Sequence, residues 1–504
     1  MPFFKVKGFE PDADPTELGV LLLCDLMIPT LNGMKSLPQD VDADVDPVPS
    51  AVASIQAFQL TDDSIRLIAS TEGSASAATS NLYELSTSTW TDQKGAAGPY
   101  TATAESRWVF SQYRDTIYAA QPGAQMQKSD SAAFTSVSGA PKALVIANVL
   151  DFVMAFNTDD TGLTGMGVYG VSPDRWWCSA AGNPGGGVDS WTADIATQAT
   201  TGLLTDTPGA ILGARKIGSD MAAFKNTSLY LGRYVGAPRV WDWRLVPGEG
   251  LGTWSHYGIV DVEGIGLLFI GYDNIYSFDG IRATPIGTNR VAQFLFDTMD
   301  IEKANNIVGF HHRQDWLVYW FFPSSNSGAL DRFLCYNYRS GTWGYGQKSV
   351  NFAFEYLEPG TSYDGLGTLF ATYDNLPSAA YEVAFTSKST LKPAVVGTDR
   401  LVNKLEGVGS DSSLKTSFLG TDATVTSMTR VRPRFKVAPA TGEQDHLYTD
   451  VLGQVVTTSV AGITLQQGSF DYVHSARWHQ LVHRYTGDME LLGFDVEAAT
   501  DSQE

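Results

Sequence analysis

Several groups of side chains in this sequence have types and spacings that could carry chemistry. His474, His479 and His483 fall close together. On a strand, His479 and His483 share a face. A zinc site needs a third and usually a fourth ligand in range. With no cysteine near and Glu490 on a different strand, the three histidines read as a surface cluster. The run Asp40, Asp42, Asp44, Asp46 resembles the start of an EF-hand loop. Counted from Asp42, however, Pro47 stands where that loop needs glycine and Ala53 where it needs glutamate, so the run reads as a solvated loop or edge strand. The sialidase box Ser-x-Asp-x-Gly-x-Thr-Trp shares only its Thr-Trp ending with two segments here, and Tyr338 and Leu85 replace its aspartate. No arginine triad can be assigned. The glycine-rich stretches 162–170 and 182–188 lack the Lys-Ser/Thr of a phosphate loop and read as turns. Nothing has the flanking sequence of a nucleophile elbow. The sequence therefore predicts a protein that is not an enzyme, with no catalytic residue, cofactor or bound metal.

Composition narrows the class. The 55 acidic and 34 basic residues give a net charge of −21, which excludes a protein that coats nucleic acid, because neutralising phosphates requires Lys and Arg. An acidic wall could still surround DNA without gripping it. Cys24, Cys178 and Cys335 are too few and too widely spaced for a disulfide framework or a Cys-x-x-Cys metal pair, and read as reduced thiols of a protein folded in a cytoplasm. The first residues carry two lysines without an apolar run behind them, so no signal peptide is expected, and the longest apolar runs are too short for a membrane segment.

The elements that would position these residues are strands. Aromatic residues make up 12% of the chain and the 49 glycines are spread along its length, which favours many short strands joined by tight turns. No stretch has a sustained 3.6-residue period. The middle of the chain repeats a strand–turn–strand phrase in which Tyr is followed seven residues later by Trp: Tyr83 and Trp90, Tyr169 and Trp176, Tyr234 and Trp241, Tyr336 and Trp343. Units centred on Tyr118, Tyr276 and Tyr381 keep the strand pattern without the tryptophan. The seven tyrosines recur about every 50 residues, the length of a four-stranded antiparallel blade with its loops. A single blade cannot hide both of its faces. Radial stacking buries them, with aromatics filling the widening gap. The predicted fold is an all-β protein: an N-terminal arm over 1–50, a β-propeller of six or seven blades over 51–395, and a C-terminal β-sandwich-like domain over 396–504. The four tryptophans are expected at equivalent blade positions.

In the C-terminal region Arg430, Arg432, Arg434 and Lys436 alternate, so a strand would place all four on one face. Such a row repels itself unless acids face it, which makes it a possible subunit interface; an exposed edge strand kept soluble by charge is the alternative.

Three stretches, 11–38, 264–287 and 476–499, resemble the opening, middle and closing phrases of the tail hub or nozzle proteins of short-tailed bacteriophages, the packaged-DNA stabilisation family. Trp478 stands where that family more often has Tyr or Phe. The resemblance implies a structural virion protein of the tail, folded in the host bacterial cytoplasm and assembled as a hexameric ring below the portal and adaptor. The ring would extend the channel through which double-stranded DNA passes without sequence-specific binding, and would dock tail fibres or spikes. The family offers no catalytic residue to carry over. The competing reading is a propeller that binds or cleaves host-surface glycans.

Overall fold

The structure, a computed structural model, describes residues 3–500 apart from 63, 73–78, 103–105, 164–168, 186–189, 326 and 358–390. The prediction of an all-β propeller holds. Six separate four-stranded antiparallel sheets form blades. In chain order the first five begin with the strands Val52–Gln59, Val109–Tyr113, Lys142–Val149, Ile211–Ile217 and Val260–Val262. The sixth of these sheets is built from Phe352–Leu357, Leu391–Val396, Val402–Gly409 and, as its outer strand, Pro38–Asp42. Between the fifth and the last stands another four-strand meander, Val308–His312, Leu317–Pro323, Leu330–Asn337 and Thr342–Val350. Its first strand packs on Val260–Val262 on one side and on Phe352–Leu357 on the other, so it fills a seventh place in the ring. Tyr381 lies outside the described residues.

The strand Leu317–Pro323 explains how the two halves of the molecule join. All seven of its residues are buried, so it reads in sequence as an unbroken apolar run. Alternate side chains serve two cores: Leu317, Tyr319 and Phe321 enter the propeller core, while Val318, Trp320 and Phe322 enter a second core shared with the C-terminal domain. The outer strand of the same meander continues through Met27–Pro29 and Met34–Ser36 into Glu490–Thr500, Thr426–Val437 and Phe470–Ala476, giving one ten-stranded sheet. A second sheet, containing Val20–Asp25, Ser412–Thr416, Trp478–Thr486, Thr441–Thr449 and Thr457–Thr464, supplies the other layer of the C-terminal sandwich.

Residues 3–50 are therefore not an arm. Phe4 pairs with Phe494, Gly8–Phe9 lies beside Val20–Asp25, Met34 pairs with Leu491, and Asp40 and Asp42 pair with Leu405 and Asn403. Two physical needs drive this correction: apolar side chains such as Val20, Leu21, Met27 and Ile28 must be buried, and open sheet edges must be paired. The same pairing moves the predicted boundary at 395, because the closing blade runs on to Gly409 and borrows a strand from the N-terminal segment. Gly33 permits one of these crossings. A Cβ there would sit 2.0 Å from the Leu491 carbonyl oxygen, so the Thr30–Gly33 turn can lie against the C-terminal strand only with glycine at its end.

Candidate functional site

The site is built from the first strands of the blades. Each of these strands lies at the axis and brings polar residues to it, among them Gln59, Gln112, Asn148, Lys216, Asp261, Glu355 and, just past its strand, Arg313. All seven line one cavity of about 500 Å³. No two of them belong to the same blade, so no local motif announces the group. Apolar side chains including Ile55, Phe110, Ile146, Phe310 and Phe352 wall the cavity, and Tyr257 and Arg215 also line it.

Its electrostatics are mixed. The Arg313 Nε lies 3.7 Å from the Glu355 Oε1, too far for a hydrogen bond. Burial pushes the Glu355 carboxyl up to about 7, an effect that Arg313 only partly offsets. Burial likewise raises the Asp261 carboxyl, against the attraction of Arg215, Lys216 and Arg313. His311 is driven down to about 4, chiefly by burial and then by Arg313, and is neutral at physiological pH. Arg215 reaches the water of the cavity yet lies deep enough that burial lowers its pKa. Below it the Tyr257 hydroxyl donates to the Trp108 carbonyl, and the Arg107 Nη1 donates to the Asn306 carbonyl at 3.1 Å. Tyr257 feels both Arg215 and Arg107. Arg215 and Arg313, from two separate blades, line the cavity, while Arg107 does not line it and lies with its guanidinium carbon 5.6 Å from the centroid of the Phe352 ring.

The Arg430, Arg432, Arg434 and Lys436 strand is Thr426–Val437. It lies between Glu490–Thr500 and Phe470–Ala476, so the alternative of an edge strand is overturned. Its cations face acids of the same chain. Arg430 contacts Asp471 at 2.5 Å and Glu497 at 3.6 Å, Arg432 contacts Glu497 at 3.7 Å, Arg434 contacts Asp495 at 2.7 Å, and Lys436 contacts Glu490 at 2.9 Å. These pairs are exposed and individually weak. The self-repulsion expected from the sequence is relieved within the chain.

Of the three histidines expected at the surface, His474 is partly exposed and the other two are not. His479 and His483 lie with Leu481 and Tyr485 on the inward face of Trp478–Thr486 and are fully buried, as is His446, which the sequence reading passed over. His446 and His479 share a hydrogen bond of 2.9 Å between Nε2 and Nδ1, while His479 Nε2 stands 3.0 Å from both the Thr426 carbonyl and its hydroxyl. His483 stacks on Phe494 with ring centroids 4.7 Å apart, and among the described residues neither of its nitrogens has a hydrogen-bond partner. Among the described residues no group of three or more His, Cys, Asp or Glu is placed to hold a metal ion. Burial pushes His446 and His483 down to about 3 and lowers His479, so all three are neutral in the folded protein at pH 7.

The sign of the resulting pH dependence follows. The unfolded histidines take up protons near 6.5 and the folded ones only far lower, so stability is complete above 6.5 and is lost as pH falls towards 3. His483→Leu will shift the acid-unfolding midpoint of the sandwich to lower pH and leave stability at pH 7 within about 1 kcal/mol of the parent, since it removes two unpaired nitrogens. Tryptophan fluorescence followed from pH 8 to 3 measures both. An unchanged acid midpoint would remove His483 as a source of the acid sensitivity.

The Tyr–Trp phrase has a common place in three blades. Tyr83, Tyr234 and Tyr336 are on third strands and Trp90, Trp241 and Trp343 on fourth strands. Tyr234 and Tyr336 pair directly with Trp241 and Trp343, whereas Tyr83 pairs with Asp92 and Trp90 with Leu85. Trp176 is the exception and corrects the expected equivalence: it sits on the third strand of its blade, and Tyr169 precedes that strand with its ring 3.6 Å from the Arg175 guanidinium carbon. The long connection before that strand displaces the phrase by one strand.

No family model and no curated protein matches this chain. Among solved structures, YCF48 bound to D1 peptide is similar at a TM-score of 0.35 and 11% identity, covering 74% of this chain and 98% of that one. YCF48 from Cyanidioschyzon merolae is similar at 0.37 and 9%, covering 74% and 99%. An exo-beta-1,3-galactanase from Phanerochaete chrysosporium in complex with galactose is similar at 0.28 and 8%, covering 91% and 100%. Among the described residues no helix is long and apolar enough to cross a membrane.

Proposed function

We propose that the chain is a structural component of a short-tailed phage tail, a hub or nozzle subunit and not an enzyme. The observation that carries this reading is the placing of the three hub-like stretches. Stretches 11–38 and 476–499 lie at opposite ends of the chain, yet they hydrogen-bond side by side through Lys35–Glu490 and Met34–Leu491, and stretch 264–287 forms most of a blade. The sheet they share ties propeller and sandwich into one framework, which suits a part that bears load during genome ejection. Portal or adaptor below which it sits, and fibres or spikes docked on its surface, are the partners of this reading.

The geometry constrains where DNA would run. A duplex whose major groove alone is about 12 Å wide cannot enter an axial cavity of about 500 Å³. DNA would pass between subunits, through the centre of a ring whose copies each bring a charge of −21 and therefore hold no phosphate. Mass photometry of the full chain should find a species with the mass of six 54.5 kDa chains, alone or on addition of a portal–adaptor complex. A monomer under both conditions overturns the ring. Because Arg432 and Arg434 already have acidic partners in their own chain, Arg432→Glu with Arg434→Glu should weaken the ring only if the row also faces a neighbouring copy.

A further inference from the structure

We propose that the axial cavity binds a carboxylated sugar, with the Arg215 guanidinium taking the carboxylate. The inference is independent of ring assembly. Arg215 lines the cavity, and among the described residues no hydrogen bond or close ion pair engages its guanidinium, although it attracts the Asp261 carboxylate on the same wall. An arginine fork left open on the wall of a cavity can take a bidentate anion. The remaining lining defines the rest of the ligand. Asp261 and Glu355 would repel a dianion such as phosphate but accept hydroxyl hydrogens. Asn148 offers an amide donor and acceptor, and Gln112 offers its Oε1, its amide nitrogen being held by the Gln59 and Arg114 carbonyls. A monoanion rich in hydroxyls meets both demands, and a cavity of about 500 Å³ is the size of site that encloses one or two sugar rings. The burial that holds Glu355 near neutrality reduces the repulsion that a carboxylate ligand would meet at physiological pH.

Calorimetric titration of the full chain with D-galacturonate, D-galactose and inorganic phosphate tests this, since the first two differ only at the carboxylate. Galacturonate should bind at least about tenfold more tightly than galactose, a difference of about 1.4 kcal/mol. Arg215→Ala should erase that difference, and Arg215→Lys should retain part of it by keeping the charge without the fork. Three results overturn the proposal: no heat with galacturonate up to about 10 mM, equal binding of galactose, or phosphate binding as tightly as galacturonate, which would mark a simple anion site. Those results come from the unsubstituted protein, so the proposal stands or falls even if Arg215→Ala does not fold. Arg215→Ala that folds and still discriminates the two sugars overturns it as well.

Discussion

Trp343→Ala will destabilise the blade–sandwich junction by about 3–5 kcal/mol, the range for deleting a fully buried large aromatic. Trp343 is 0% exposed and lies in the core that the propeller shares with the C-terminal domain. Its ring centroid is 4.5 Å from that of Tyr336 and 6.2 Å from that of Trp320. The neighbouring Trp320 belongs to the Leu317–Pro323 strand, whose side chains are packed in two cores at once, which opposes relaxation into the space. Trp90→Ala, at the equivalent place in the first blade, should cost only about 1 kcal/mol, because that ring is half exposed and its main loss is the hydrogen bond from Nε1 to the Asp46 carbonyl at 2.8 Å. Calorimetric unfolding of the two variants against the parent makes the comparison. Equal losses would mean that shared sequence spacing, and not the neighbouring core, sets the energy.

A second large effect is expected at the joint between the first two blades. Arg66 forms a two-pronged pair with Glu84, Nε to Oε1 at 2.6 Å and Nη2 to Oε2 at 2.9 Å, and donates from Nη2 to the Ser129 hydroxyl of the next blade at 2.8 Å. Both partners are largely buried, with 7% and 15% of their side chains exposed. Removing one member leaves the other charged and without its partner in a poorly solvated place, so Arg66→Ala should cost about 3–5 kcal/mol. The double change Arg66→Met with Glu84→Leu removes both charges and should recover most of that loss. The inference fails if the single variant loses less than about 1 kcal/mol, or if the double variant is no more stable than the single.

The balance between local and long-range information is visible in particular residues. A period of two is a property of neighbouring positions, and the strands of the propeller announce themselves through it. The same period placed Arg430, Arg432, Arg434 and Lys436 along one strand before their partners were known. The Tyr–Trp phrase marked third and fourth strands for Tyr83, Tyr234 and Tyr336, because a tight turn fixes what it joins. It misplaced Trp176, whose blade has a longer connection.

Pairings between distant parts of the chain have no such local signature. Phe4 beside Phe494, Asp42 beside Asn403 and Lys35 beside Glu490 were decided by which open edges and apolar faces remained when the blades closed, and they turned an expected arm into structural strands. Burial of His479 and His483 depended on a second sheet covering their face, which spacing alone cannot report. The axial cavity is the extreme case: residues from every blade, Gln59 and Glu355 among them, meet only because the ring closes. The amino-acid sequence by itself determined strands, turns and the repeat, through contacts a few residues apart. The tertiary structure alone decided the domain interlock, the cavity and its charges, because these depend on the whole chain returning to meet its own beginning.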